Sequence, residues 1–169
     1  INKCEVKMTL KKEIEFNNIV NDILKNNEFI ALKYEIHHGI SRLDHSLHVA
    51  KVTYQTCKKL KIKNYEEITR AALLHDFFKN NEVTNKAFLN HPSKALENAE
   101  NNFAINKRQA NIIAAHMFPI SKTLPKNVGS WVVSGADKFV ALYECAKFKA
   151  PIKVGASFLF ILNLCFIQR

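Results

Sequence analysis

At 169 residues, 47% of them hydrophobic, the chain can fill the core of one domain, and it lacks the long polar tracts of a disordered protein. Only four Gly and four Pro leave few obligatory turns, which argues against a sandwich of many short strands. A formal net charge of +10 favours polyanionic ligands but does not bear on fold. Lys11, Lys12, Lys58, Lys59, Lys61, Lys63 and Lys107 are dispersed, so a solvated basic surface is the first reading and a polyanion-binding surface the second.

The first residues are charged and contain no apolar signal core, and Met8, just before a helix start at Thr9, is read as a candidate initiator. Thr9 is expected to cap a helix carrying Ile14, Phe16, Ile19, Val20, Ile23 and Leu24 at three- and four-residue steps. Asn26 and Asn27 should break it, and a short helix over 28–36 should stop near Gly39. A long helix is expected from Asp44 to about Leu60, with Leu47, Val49, Ala50, Val52 and Tyr54 inward. Residues Tyr65–Phe78 predict a further helix whose second half, AALLHDFF, is apolar nearly all round and therefore central.

Pro92 suits the first turn of a helix from His91 to about Phe103, and Asn106 caps one ending near Met117. The segment SKTLPKNVG reads as a loop, followed by a helix over Trp131–Ala146 that contains Asp137. After Pro151, the run Val154–Ile167 is shorter than the ~20 residues of a membrane span and contains Asn163. It reads as a buried closing helix. Cys4, Cys57, Cys145 and Cys165 show no paired spacing, which predicts reduced thiols in a cytoplasmic protein. The expected architecture is an all-α, single-domain bundle with its core over about 39–146, the helices of 9–36 and 151–167 packing on it.

An adjacent His-Asp pair, His75 and Asp76, inside so apolar a segment is costly unless it is paired or bound to a metal. The bland alternative is a core histidine with Asp76 paired to a neighbour such as Arg70. Four further ionisable residues lie on faces expected to be buried: His45, His91, His116 and Asp137. They come from successive helices, as ligands do in helical-bundle metal sites. Imidazoles and carboxylates without a nearby thiolate suit iron or manganese foremost, with nickel, cobalt and zinc less sharply indicated.

The ordered set H…HD…D resembles the HD superfamily of metal-dependent phosphohydrolases, in the contexts HSLHVA at His45 and LLHDFFK at His75. His91 and His116, between the pair and the last Asp, resemble the subgroup with a two-metal centre. Within it, the likeness is to small bacterial HD proteins related to symmetrical diadenosine-polyphosphate hydrolases. The resemblance covers about Gly39 to Glu144 and implies an all-helical hydrolase. By it, His45, His75, Asp76 and Asp137 would hold a first metal, and Asp76 would bridge to a second held by His91 and His116. Two such ions about 3.5–4 Å apart clamp a phosphate and activate water.

Lys79 matches a lysine that follows the HD pair in many relatives and is a candidate catalytic and phosphate-binding group, expected on the helical face of Asp76. The alternative is a surface lysine at a helix end. His48, where relatives often carry Arg, is a candidate second-layer or substrate group, and Arg42 and Lys138 are weaker candidates for phosphate. His37 and His38 read as structural. Trp131 and Phe139 could stack a base but read first as core.

The implied partner is a small phosphorylated substrate, foremost a nucleotide. No nucleic acid or membrane partner is expected, and a homodimer stays open. The glycine- and proline-bearing signature of cyclic di-GMP phosphodiesterases is absent, which disfavours that substrate. Two alternatives remain: a mononuclear nucleoside-monophosphate phosphatase, and a catalytically idle metal-bound domain that binds nucleotide or nucleic acid.

Overall fold

The computed structural model describes residues 3–37, 39–83 and 90–148, with all of their side chains except those of residues 3–9, 37 and 148. His38 and the closing helix expected over 151–167, with Cys165, lie outside the described residues, as do the side chains of Cys4, Met8, Thr9 and His37.

Helix α1 (Lys3–Val20) runs through Thr9, which is therefore no N-cap. Nothing in Lys3–Met8 breaks a helix, since the stretch has neither Gly nor Pro, so the helix extends past the expected start. A 3₁₀ turn over Ile23–Lys25 follows, and Asn26 does more than break the chain. Its side-chain oxygen accepts from the Phe29 N–H at 2.9 Å and caps α2 (Asn27–Ile30).

The short helix expected to reach residue 36 gives way to a second 3₁₀ turn, Ala31–Tyr34. Beyond it, β1 (Ile36–His37) pairs antiparallel with β2 (Ile40–Ser41). β-Branched Ile36 and Ile40 favour the extended backbone, and Gly39 turns the chain at φ 88°, a conformation open to glycine.

Helix α3 (Arg42–Lys59) starts two residues before Asp44 because Ser41 is the cap. The Ser41 hydroxyl accepts from the Asp44 N–H at 3.0 Å and donates to the Asp44 carboxylate at 2.6 Å. Helix α4 (Tyr65–Leu74) stops four residues short of Phe78. Tight bonds from the Phe77 N–H to the Leu74 carbonyl and from the Phe78 N–H to the Asp76 carbonyl replace the helical ladder. His and Asp are weak helix formers, and here His75 bonds back to the Ala72 carbonyl while Asp76 meets Arg42 and His91 from other elements. The His-Asp pair thus sits at a helix end, not mid-helix.

Helix α5 (His91–Asn102) has Pro92 in its first turn, and α6 (Lys107–Ala115) opens on a reciprocal capping box between Asn106 and Gln109. Helix α7 (Val128–Phe148) begins three residues before Trp131, so the preceding loop ends at Asn127. Gly129 sets how closely α7 sits. A Cβ there would lie 2.8 Å from Ile68 Cγ1 and 2.9 Å from Ile112 Cδ1, so the α7 backbone packs directly on side chains of α4 and α6.

The all-α bundle is centred on α4, which touches α1, α3, α5, α6 and α7 and buries Ile68, Ala71, Ala72, Leu73 and Leu74. A polar knot ties α1 to α3 and α4. The Tyr54 hydroxyl, the Lys58 ammonium and the Tyr65 hydroxyl all donate to the Glu15 carboxylate, at 2.9, 2.8 and 2.7 Å. These donors, Lys58 first, hold the Glu15 pKa down at about 2.

Trp131 and Phe139, expected in the core, are 56% and 61% exposed. Val133, Ala136 and Val140 fill the inward face of α7, which turns the two rings outward. No helix of the described residues is long and apolar enough to cross a membrane.

Candidate metal centre

Five elements deliver the six predicted side chains to one region. His45 lies in the first turns of α3, His75 and Asp76 follow the last residue of α4, and His91 is the first residue of α5. His116 follows the last residue of α6, and Asp137 lies midway along α7. Their functional atoms form a continuous chain. His45 Nε2 is 3.2 Å and His75 Nε2 is 3.6 Å from Asp137 Oδ1, and His75 Nε2 is 3.9 Å from Asp76 Oδ2. On the far side, Asp76 Oδ1 lies 3.2 Å from His91 Nε2 and 3.5 Å from His116 Nε2. Asp76 thus turns one oxygen to each half of the cluster.

Local hydrogen bonds set the tautomers. His75 Nδ1 is 2.7 Å from the Ala72 carbonyl, and His116 Nδ1 is 2.7 Å from the Ile113 carbonyl. A carbonyl only accepts, so each Nδ1 carries the proton and each Nε2 presents a lone pair to the centre. His75 Nε2 and Asp76 Oδ1 are buried without a hydrogen-bond partner. A buried lone pair facing two carboxylates is a repulsive arrangement unless a positive charge lies between them. The donor set therefore fits a cation.

Two overlapping groups have ligand atoms within 4.8 Å of one another: His45, His75 and Asp137, and His75, Asp76 and His116. His91 adjoins the second through Asp76 and through His116, whose Nε2 is 3.0 Å from its own.

Burial works to raise the Asp76 and Asp137 pKa values, but the surrounding imidazoles, His75 foremost for Asp76 and His45 for Asp137, hold both far below the ordinary carboxylate range. Burial, reinforced by His75, pushes His116 down to about 3, so it is neutral. For His45, burial acts downward, but hydrogen bonds to Asp137 and Glu144 outweigh it and lift the imidazole to about 10. Ionised carboxylates and a neutral imidazole are the ligand forms that metals bind, whereas at His45 a proton competes for the same nitrogen.

A cavity of about 180 Å³ opens on the cluster, lined by Arg42, His45, Asp76, His91, His116, Asp137 and Glu144 among others. The other candidates divide around it. Arg42 is 3% exposed, donates to Asp76 Oδ2 at 3.2 Å and to Asn80 at 2.8 Å, and lies 3.8 Å over the Phe78 ring. Arg70 is not the partner of Asp76. It binds the Asp22 carboxylate and the Ile19 carbonyl.

Lys79 follows the end of α4 in extended backbone, so it shares no helical face with Asp76, and it does not line the cavity. The ammonium of Lys138 donates to the His116 carbonyl and to Ser134, which draws it away from the cavity into the seam between α6 and α7. His48 is half exposed and stands behind the cluster, its Nδ1 2.7 Å from Glu144.

Glu144 is a candidate site residue that sequence reasoning passed over. It is buried and takes both His45 Nδ1 and His48 Nδ1 at 2.7 Å. Burial raises its pKa, but those two imidazoles bring it below the ordinary value. It follows Asp137 by seven residues, two helical turns along the same face of α7. An acid at that interval in an apolar helix is the signal that could have found it.

Comparison with curated proteins and with solved structures returned no match to this chain. The family model described as "HD domain" matches residues 42–142, well over half of the chain and the whole span from Arg42 past Asp137. That family implies a metal-dependent phosphohydrolase type of function. On its sequence match and its all-helical fold, the chain belongs to the HD-domain family.

Proposed function

We propose that the chain is a di-metal phosphohydrolase acting on a nucleotide or another small phosphate ester or anhydride, in the cytoplasm, with iron or manganese as the foremost metals. The observation that carries this reading is Asp76, whose Oδ1 faces the His91 and His116 imidazoles while its Oδ2 faces His75 and accepts from Arg42. His45, His75 and Asp137 would hold one ion, and His91 and His116 the other, with Asp76 between them. Bound there, the ions would supply Lewis acidity and a water made nucleophilic near neutral pH.

The remaining roles belong to the chain itself. Glu144 holds His45 by its Nδ1 and so directs Nε2 toward the centre. The carbonyls of Ala72 and Ile113 do the same for His75 and His116. Arg42, on the cavity wall, offers a fixed cation to phosphoryl oxygens as charge grows on them. It is a better placed phosphate contact than Lys79 or Lys138.

Elemental analysis of protein purified anaerobically, followed by a phosphatase and phosphodiesterase panel on the same sample, tests the proposal. The expected result is about two transition-metal ions per chain with turnover of a phosphate substrate. Metal-free protein, or metal-loaded protein idle across the panel, would refute it. The close approach of His91 Nε2 to His116 Nε2, at 3.0 Å, favours a second reading in which these rings pair with each other and line the pocket of a mononuclear phosphatase. Full activity with a single ion per chain would select that reading.

A further inference from the structure

Helix α7 carries an apolar stripe that the described residues leave largely exposed, Phe118 touching only Trp131, edge-on at 5.4 Å. Val128, Trp131, Phe139 and Tyr143 are 61, 56, 61 and 62% exposed, and with exposed Gly135 they recur at three- and four-residue steps along one face. The loop before α7 extends the patch through exposed Leu124 and Ile120. Isolated exposed hydrophobics are ordinary, whereas a continuous apolar row of aromatic rings marks a contact surface.

We propose that residues 154–167 of the same chain dock on this stripe, folded back antiparallel to α7. Three features of the sequence point to that occupant. Val154–Ile167 has no charged residue and only Ser157 and Asn163 as polar side chains, so in water it needs an apolar surface to cover it. Residues 149–153 include Pro151, which cannot continue a helix, and a connection of that length is ordinary between antiparallel helices, about 2–8 residues. The dimensions also match. The stripe from Val128 to Tyr143 is about 22 Å long and a helix over 154–167 would be about 21 Å, at 1.5 Å per residue.

A tether this short keeps the segment beside α7 at high effective concentration, which favours it over a second copy of the chain. Its length also falls below the ~20 residues needed to cross a bilayer.

Trp131 is the sole tryptophan of the chain, so its fluorescence reports directly on the stripe, near the end first in sequence. In the full chain at low micromolar concentration, we expect blue-shifted emission and weak acrylamide quenching. Neither should change on dilution, and light scattering should show a monomer. In the double variant Phe160→Asp, Leu164→Asp, emission should shift to the red and quenching should rise, with helical circular dichroism of the bundle retained.

Red-shifted, readily quenched emission in the unaltered chain would overturn the proposal without reference to any variant. Shielding lost on dilution together with a dimer would assign the stripe to a second copy instead. Shielding gained only with phosphatidylcholine–phosphatidylglycerol vesicles would assign it to a lipid surface.

Discussion

Two carboxylate clusters lie in this helical bundle, and they are built on opposite principles. Glu15 receives three donors, from Tyr54, Lys58 and Tyr65, and its negative charge is balanced where it stands. Asp76 and Asp137 instead face imidazoles, and His45, His75 and His116 among them have their other nitrogen committed to Glu144 or to a carbonyl; His75 Nε2 and Asp76 Oδ1 are buried without a hydrogen-bond partner. The first cluster is complete as a structural clasp. The second leaves buried polar atoms unpaired, and a bound cation would satisfy them. An acid among apolar helices is therefore not a functional signal in itself; the balance of donors and acceptors around it is.

The contrast is most directly broken at Asp76. Asp76→Ala removes the carboxylate that faces both halves of the centre. It should abolish metal retention in elemental analysis and lower phosphate hydrolysis by about a thousandfold or more. A fully active Asp76→Ala protein would reduce the metal-type cluster to a structural one.

Arg42 sharpens the comparison next, because it is the positive group already present beside Asp76. Arg42→Gln should lower kcat/KM on the phosphate substrate by about a hundredfold while the metal content holds, the pattern of a lost transition-state contact. Loss of metal in step with rate would make Arg42 a support for Asp76 alone.

Glu144→Gln tests the layer behind the ligands. The amide can still accept from His45 but carries no charge, and metal affinity measured by chelator competition should weaken by about 10- to 100-fold. Unaltered affinity would show that His45 needs no such orientation.

The smallest effect belongs to the clasp. Glu15→Gln should cost about 1 kcal/mol in chemical denaturation at neutral pH, since both side chains of the ion pair with Lys58 are about a third exposed. The sign of its pH dependence follows from the lowered pKa. The folded state keeps Glu15 ionised down to about 2, whereas an unperturbed glutamate takes up its proton near 4.5. The stabilisation is therefore full above that upper value and fades as the pH falls toward the lower one. Glu15→Gln should lose this part of the acid sensitivity and leave metal binding untouched. A change in metal content would link two clusters that the structure keeps apart.

Much of this molecule is legible in the amino-acid order. The helices follow from apolar residues recurring at three- and four-residue steps, and the Asn106 cap and the Pro92 start from local backbone chemistry, because such signals act within a few residues. His45, His75, Asp76, His91, His116 and Asp137 were legible for a related reason: ionisable side chains at apolar helical positions are costly enough to stand out from their neighbours.

What depends on distant partners could be decided only by the tertiary structure. The length of α4 was one such matter, since Leu74 ends it where His75 and Asp76 meet residues from other helices. Another was which cations face the cavity: Arg42 is fixed there by Asp76 and Asn80, while the His116 carbonyl and Ser134 draw Lys138 away. The orientation of α7 was the third. Both of its sides are apolar, so periodicity alone left Trp131 and Phe139 free to be core, and the close approach at Gly129 determines which side packs inward. Glu144 reads as one more acid on a helix until that orientation places it against His45 and His48.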